Sequence, residues 1–151
     1  MLQLARPEDR AAIEGLAQQV HAMHVQWRPD IYTPANELWP QDRFDTAVGE
    51  RQLFAAKIGD AVVGYVYLRL RNYDMTGHTR RKVLLVDEIC VDETRRNQGI
   101  GTEMMIEVRA IANAFGCTDL QLGVYPQNYE ALAFYQKCGF RIRSIDMQMK
   151  I

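Results

Sequence analysis

Between residues 83 and 125 the hydrophobic period of this chain switches twice, and no other feature narrows its fold as far. Val83–Val91 is a β-branched run; behind it Ile100, Met104, Val108, Ile111 and Phe115 recur on one helix face, with Gly116 as the stop. Leu120–Tyr125 then returns to strand character. A strand, a helix and a strand in that order make a right-handed crossover between parallel strands. Upstream, Leu53–Ile58 and Ala61–Leu70 flank Gly59-Asp60, a hairpin signal that demands antiparallel pairing. The sheet is therefore predicted to be mixed, with antiparallel N-terminal strands followed by a β-α-β crossover, and the fold class is α/β.

The remaining elements fit around that frame. Met1–Leu4 reads as a short strand, and Pro7 suits the first turn of a helix whose stripe is Ile13, Leu16, Ala17 and Val20, with His24 one turn further on. Prolines at 29 and 34 keep Trp27–Pro34 out of a helix interior and leave an aromatic-rich loop, of the kind that lines pockets. A second short helix is expected over Gln41–Glu50 and a polar loop over Arg71–Lys82. A last helix runs from Tyr129 to Cys138, with Asn128 as N-cap and Gly139 closing it. Phe140–Ile145 and Met147–Ile151 follow as one long strand or a pair, giving the order β-α-α-β-β-β-α-β-α-β.

At 151 residues, 48% hydrophobic and 25% charged, with no repeat or Pro/Gly/Ser-rich linker, residues 1–151 read as a single domain. Lys and Arg total 18 against 19 acidic residues. A general binder of nucleic acid or of an anionic membrane needs a basic excess, so neither is an expected partner. Any anion must be held by a local arrangement. No apolar run is long enough for a bilayer, and Met1-Leu2-Gln3-Leu4 lacks a basic patch followed by an apolar signal core. Cys90, Cys117 and Cys138 are scattered without metal-ligand spacing, as expected of small buried thiols in the cytoplasm, and no metal site is expected.

Such a local arrangement lies at Asp87–Thr102, where a strand end passes through a polar loop with two glycines into a helix start. Helix-start amides have no intrahelical acceptor and carry about half a positive charge through the helix dipole. Glycine lets a diphosphate approach the main chain, and Arg96 adds a two-pronged donor. A plain helix cap remains the alternative reading. No G-x-x-x-x-G-K-[ST] run exists, and in a dinucleotide fingerprint Met104 would stand where the third glycine belongs.

These residues resemble a known family. Arg96-Asn97-Gln98-Gly99-Ile100-Gly101 is similar to the R/Q-x-x-G-x-G/A signature of the GCN5-related N-acetyltransferases. Asn128 and Ala131 to Phe140 resemble that family's N-x-x-A-x-x-F-Y-x-x-x-G-F motif without a gap. The resemblance runs from about Val83 to Arg143. It implies that Leu120–Tyr125 splays from Val83–Val91 to admit the pantetheine arm of acetyl-coenzyme A, with coenzyme A as product. The implied cofactor site comprises Ile89, Cys90, Val91, Arg96, Asn97, Gln98, Gly99, Ile100, Gly101, Thr102, Asn128 and Tyr135. One departure is that Asn97 and Gln98 are amides where the family often has glycine and a basic residue; Arg95 is the nearest substitute cation.

The reaction implied is direct attack of a primary amine, from a small molecule or a peptide, on the thioester. An amine with a pKa of about 10.4 is neutral about four times in ten thousand at pH 7, an obstacle of roughly 4.6 kcal/mol, and a carboxylate near the acceptor is the natural remedy. By strand alternation Glu88 shares a face with Leu84, Val86 and Cys90, and Asp87 with Leu85, Ile89 and Val91. Glu88 is the candidate general base or amine anchor, with Asp87 second; a structural salt bridge is the competing reading. Tyr135 matches the family's tyrosine that protonates the leaving thiolate, against a merely packed tyrosine. Main-chain amides around Cys90 and Val91 are placed for the carbonyl oxygen, while Cys90 and Cys138 are expected to be packing residues. His24, Arg28 and Tyr32, with Asp87 and Glu88, are the acceptor-side candidates. The rival function is a non-catalytic acyl-coenzyme A sensor or interaction module, which would share the phosphate loop but not need Tyr135 and Glu88. A final strand such as Met147–Ile151 is suited to pairing across a homodimer.

Overall fold

The computed structural model describes Met1–Ile151. In chain order the elements are β1 (Leu2–Leu4), α1 (Arg10–Trp27, entered through a 3-10 turn at Pro7–Asp9), α2 (Gln41–Gly49), β2 (Leu53–Ile58), β3 (Ala61–Tyr73), β4 (Arg81–Val91), α3 (Ile100–Ala114), β5 (Asp119–Leu122) and α4 (Tyr129–Lys137). The strands form one sheet in the order β1-β2-β3-β4-β5. All neighbours are antiparallel except β4 and β5, which are parallel across α3. The α/β class and the mixed topology are as expected.

Each face of the sheet carries its own core. On one, Ile13, Leu16 and Ala17 of α1 and Phe44 and Ala47 of α2 bury Leu53, Ala55, Tyr65 and Cys90. On the other, Ile100, Met104, Met105, Val108 and Ala112 of α3 cover Ala56, Val66, Leu68, Leu84 and Val86. Of the stripes read from spacing, Ile13, Leu16 and Ala17 of α1 and Ile100, Met104 and Val108 of α3 are buried and Val20 and Ile111 partly so, but Phe115 is exposed, and Met105 and Ala112 are buried in addition.

Simple alternation fails in the middle of β4. Tyr67 pairs with Glu88 but Leu68 pairs with Val86, so Asp87 is an extra residue, a β-bulge. One inserted residue exchanges the faces beyond it. Leu84 and Val86 therefore face α3, whereas Cys90 packs on the α1 side and Glu88 reaches α2 and Tyr65. The expectation that Glu88 and Cys90 share a face with Leu84 and Val86 is corrected accordingly; Ile89 and Val91 pack on the α3 side instead. A second irregularity lies between Ala56 and Lys57 opposite Gly64 and Val62.

Three boundaries also differ from expectation. The polar loop over Arg71–Lys82 is shorter, because Asn72 and Tyr73 still pair with Lys82 and Arg81, and the Arg81 guanidinium lies 5.0 Å from the Tyr73 ring centre. The strand expected over Leu120–Tyr125 ends at Leu122, where β4 stops being its neighbour. Neither Phe140–Ile145 nor Met147–Ile151 forms a strand: all of residues 141–151 are exposed, and none makes a backbone–backbone hydrogen bond. Apolar alternation alone cannot make a strand without a neighbouring edge. No helix is long and apolar enough to cross a membrane.

Candidate active site

The site grows from the place where β4 outruns β5. Their pairing covers only Val83 to Val86 against Asp119 to Leu122, so Asp87–Val91 has no strand on its β5 side. A slot opens there, with the β4 end on one side and α4 above. Alternation decides which main-chain groups face it. The Asp92 amide donates to Val63 on β3, 2.9 Å away, and an added Cβ at Gly64 would lie 2.6 Å from the Cys90 carbonyl oxygen. Cys90 and Asp92 thus turn their polar groups toward β3. Ile89 and Val91 turn theirs toward the slot, where the Val91 carbonyl accepts from Arg96 Nε at 3.3 Å. The amides available to a carbonyl oxygen are those of Ile89 and Val91; the Cys90 amide is directed elsewhere.

The loop after β4 prepares the start of α3. Asp92 accepts from the Thr94 amide at 3.1 Å and closes a 3-10 turn over Glu93–Arg95. Asn97 and Gly99 then both take left-handed backbone conformations, at φ 62° and 83°. A left-handed residue turns its amide toward the same side as its neighbours', a concave arrangement suited to an anion. The amides from Asn97 to Thr102 have no acceptor within the chain, and no side chain caps the helix. Gly99 is needed for its φ. Gly101 is needed for space: a Cβ there would lie 3.2 Å from Phe134 Cζ, so α4 could not pack as closely over the helix start. Ile100 is buried, so only its main chain is presented, while Asn97, Gln98 and Thr102 are exposed.

Tyr135 lies on α4 and packs with the α3-side core, near the Cys138 and Cys90 thiols. Its ring packs on Phe134 and Phe140 at centroid distances of 5.2 and 5.7 Å. Burial, and secondarily the nearby Cys138 and Cys90 thiols, push its pKa up to about 12. Asn128 serves α4 directly, accepting from the Ala131 amide at 3.1 Å. The Cys90 thiol is buried, and burial pushes its pKa up to about 12, which suits packing and not nucleophilic attack. No three His, Cys, Asp or Glu side chains are grouped as metal ligands would be.

Glu88 is held from both sides. Arg43 Nη2 donates to Oε1 at 2.5 Å, and the Tyr65 hydroxyl donates to Oε2 at 2.7 Å. Arg43 is itself seated over the Trp39 ring at 3.7 Å and donates to the Leu38 carbonyl. Burial, then the Glu88 charge, hold the Tyr65 hydroxyl far above its usual range. Asp87 is drawn away from this group into an exposed ion pair with Arg69. The sequence gives no local sign of this network, because Arg43 lies 45 residues and Tyr65 23 residues from Glu88.

On the acceptor side, His24 lies among aromatic rings. Tyr32, Tyr125 and Trp27 stand 5.0, 5.5 and 6.0 Å from it, and the Tyr32 and Tyr125 hydroxyls share a hydrogen bond of 2.8 Å. Burial, reinforced by His21 and opposed by Glu88, lowers the His24 pKa. Tyr32 is pushed up to about 12, first by its bond to Tyr125. Arg28 does not join this box with a free charge: it makes a two-pronged pair with Asp30 and donates to Gln148 at 2.6 Å. Tyr125, expected only as strand, is the aromatic residue that the sequence reading missed.

Residues 20–140 match the family described as Acetyltransferase (GNAT) family. The uncharacterized N-acetyltransferase YvbK of Bacillus subtilis is 28% identical over 70% of this chain, and the match spans 63% of that protein's length. The L-amino acid N-acetyltransferase AaaT of Escherichia coli is 30% identical over 82% of this chain and 74% of its own. The crystal structure of the F44R mutant of BH1408 protein from Bacillus halodurans superimposes with a TM-score of 0.95 at 26% identity, covering 100% of this chain and 99% of that one.

Proposed function

Since the chain belongs to the acetyltransferase (GNAT) family, whose enzymes use acetyl-coenzyme A, we propose that it moves the acetyl group of that thioester to a primary amine by direct attack. The amine is carried by a small molecule or a peptide. The observation that carries this reading is the run of unpartnered amides from Asn97 to Thr102 next to the stretch of β4 that β5 leaves unpaired. Residues 1–151 act as one domain, in the cytoplasm, as a homodimer.

The residues fit the cofactor by their chemistry. The left-handed loop and the N-terminus of α3 supply amide donors for a diphosphate, and the η nitrogens of Arg96, whose Nε is tied to Val91, supply charge. Asn97, Gln98, Gly99, Ile100, Gly101 and Thr102 bind through the main chain; Asn128 holds the end of α4 over the slot. When bound, acetyl-coenzyme A supplies an acyl carbon activated by sulfur. The Ile89 and Val91 amides face the slot and stabilise a carbonyl oxygen as it gains charge.

Tyr135 works as a hydrogen-bond donor. A phenol at about 12 beside a thiol near 8.5 makes complete proton transfer to the thiolate uphill by about 5 kcal/mol. Its hydroxyl therefore stabilises sulfur as the bond breaks, and the proton released by the amine reaches the thiolate later. Each oxygen of Glu88 accepts one hydrogen bond and keeps a lone pair for the acceptor, so Glu88 serves as general base or as anchor for the ammonium. Asp87, paired with Arg69, plays a supporting electrostatic part. His24, Tyr32 and Arg28 line the acceptor entrance.

Thiol release from acetyl-coenzyme A, followed with a panel of amines, tests the proposal. The panel begins with L-amino acids, the acceptors named for the Escherichia coli relative. Amine-dependent release supports it. Tight cofactor binding with no release for any amine would favour the acyl-coenzyme A sensor.

A further inference from the structure

The loop that leads from β4 into α3 is bonded by one side chain from outside itself, and that side chain, Gln19, belongs to the helix on the other face of the sheet. Gln19 Oε1 accepts from the Glu93 amide at 3.0 Å, and its Nε2 donates to Asp92 Oδ1 at 3.5 Å. The two contacts fix which way the Gln19 amide points, because a backbone N–H only donates and a carboxylate only accepts. A primary amide of this length meets both demands at once. A carboxylate in its place would oppose Asp92, and an ammonium or guanidinium could not accept from Glu93.

Gln19 stands where α1 is itself fastened to β4. One turn earlier the Leu16 carbonyl accepts from the buried Cys90 thiol at 3.5 Å, and Leu16 belongs to the core of that face. The helix therefore offers Gln19 from a fixed height above the end of β4. Asp92, in turn, closes the 3-10 turn: its side chain accepts from the Thr94 amide at 3.1 Å and its carbonyl from the Arg95 amide at 2.8 Å. Two residues beyond that turn the left-handed stretch begins at Asn97, with the amides that have no acceptor within the chain. Converging amides repel one another, so such a loop keeps its shape in the free protein only where something else holds it. A clamp on Asp92 and Glu93 holds its origin.

We infer that Gln19 is a positioning residue for the diphosphate: it sets the 92–95 turn before the ligand arrives, so that binding does not have to order the loop. The inference rests on the reading of residues 97–102 as the diphosphate cradle, and Gln19 acts only through Asp92 and Glu93. A Gln19 that served the fold alone would behave differently. The Glu93 contact is exposed, so water replaces it when it is lost and stability changes little. Loss of preorganisation falls instead on ligands that carry a diphosphate.

Gln19→Met keeps the length of the side chain and removes both bonds; Gln19→Ala removes them with the best helix former. The full-length parent and both variants are titrated calorimetrically with acetyl-coenzyme A and with S-acetylpantetheine, a thioester arm without the diphosphate. In both variants the Kd for acetyl-coenzyme A is expected to rise about fivefold, the equivalent of one net hydrogen bond. The Kd for S-acetylpantetheine and the circular dichroism spectrum are expected to stay as in the parent. In steady-state kinetics KM for the cofactor should rise by the same factor at constant kcat. A parent that binds the two thioesters equally would overturn the cradle and the role of Gln19 together. A parent that prefers acetyl-coenzyme A, with variants that keep its affinity or weaken both thioesters alike, would overturn the role of Gln19 alone.

Discussion

Replacing Glu88 by glutamine separates a working carboxylate from a merely structural one. The substitution keeps the shape and leaves an amide oxygen for the Tyr65 hydroxyl, but it removes the charge opposite Arg43. Arg43 and Glu88 are 38 and 31% exposed, so their ion pair contributes at most about 1 kcal/mol to stability, and the weaker bond from Tyr65 adds about 1 kcal/mol more. The melting temperature should therefore fall by about 4–8 °C. The effect on an ammonium-bearing acceptor is larger. The site's local charge goes from balanced to +1, and a unit charge at about 4 Å is worth about 4 kcal/mol at an effective dielectric of 20. Solvent at a one-third-exposed site reduces this to about 2–3 kcal/mol, or roughly 30- to 150-fold in kcat/KM for the amine. Steady-state kinetics with acetyl-coenzyme A and the acceptor varied in turn would show the loss on the acceptor side, with KM for the cofactor unchanged. A kcat/KM within threefold of the parent, together with the drop in melting temperature, would make Glu88 an ion-pair residue only.

Four further outcomes are expected. Tyr135→Phe should lower kcat about 10- to 100-fold with little change in cofactor Kd, and because burial holds the phenol up to about 12, the parent's kcat should show no Tyr135 limb below pH 10; retained activity at every pH would leave the tyrosine a packing residue. Gly99→Ala forces a Cβ onto a backbone at φ 83° and should raise the Kd for acetyl-coenzyme A about tenfold, measured by calorimetry, with an unchanged Kd counting against the amide cradle. Gly64→Ala places a Cβ 2.6 Å from the Cys90 carbonyl, an overpacking worth about 1–3 kcal/mol, so its urea midpoint should fall, and an unchanged midpoint would mean that β3 and β4 yield freely there. His24 titrates below its ordinary 6.5 in the fold, so the unfolded chain takes up the proton first and stability is lost as pH falls through 6.5. His24→Phe should therefore be less sensitive to a change from pH 7.5 to 5 than the parent, and equal sensitivity would place that loss elsewhere.

How much of this was legible in the sequence depended on the range of the interaction. Ile100, Met104 and Val108 of the α3 stripe, the Asn128 cap and the glycine stops are local, and spacing and residue type located them, whereas Phe115 of the same stripe is exposed. The faces of Glu88 and Cys90 were misplaced because the Asp87 bulge is a property of β4 paired with β3, and no periodicity within one strand reveals an extra residue. Arg43 and Tyr65 were missed for the same reason: the fold, not the local chain, brings them to Glu88. Gly101 shows a subtler limit. The motif marked it as a phosphate-loop glycine, but the atom it makes room for belongs to Phe134. In the C-terminal arm the alternation of apolar residues was visible, yet a strand also needs a hydrogen-bonded neighbour, and residues 141–151 pair with none.

Acetyl transfer by this chain depends on a diphosphate gripped by the amides of residues 97–102, which have no acceptor within the chain. Calorimetric titration of the full chain with acetyl-coenzyme A, compared with S-acetylpantetheine, which shares the thioester arm but lacks the nucleotide diphosphate, tests this most directly. One binding event per chain is expected, with acetyl-coenzyme A at least about 100-fold tighter, the contribution of roughly 3 kcal/mol from two or more charge-assisted contacts. Equal affinities for the two thioesters, or no heat with either, would contradict it.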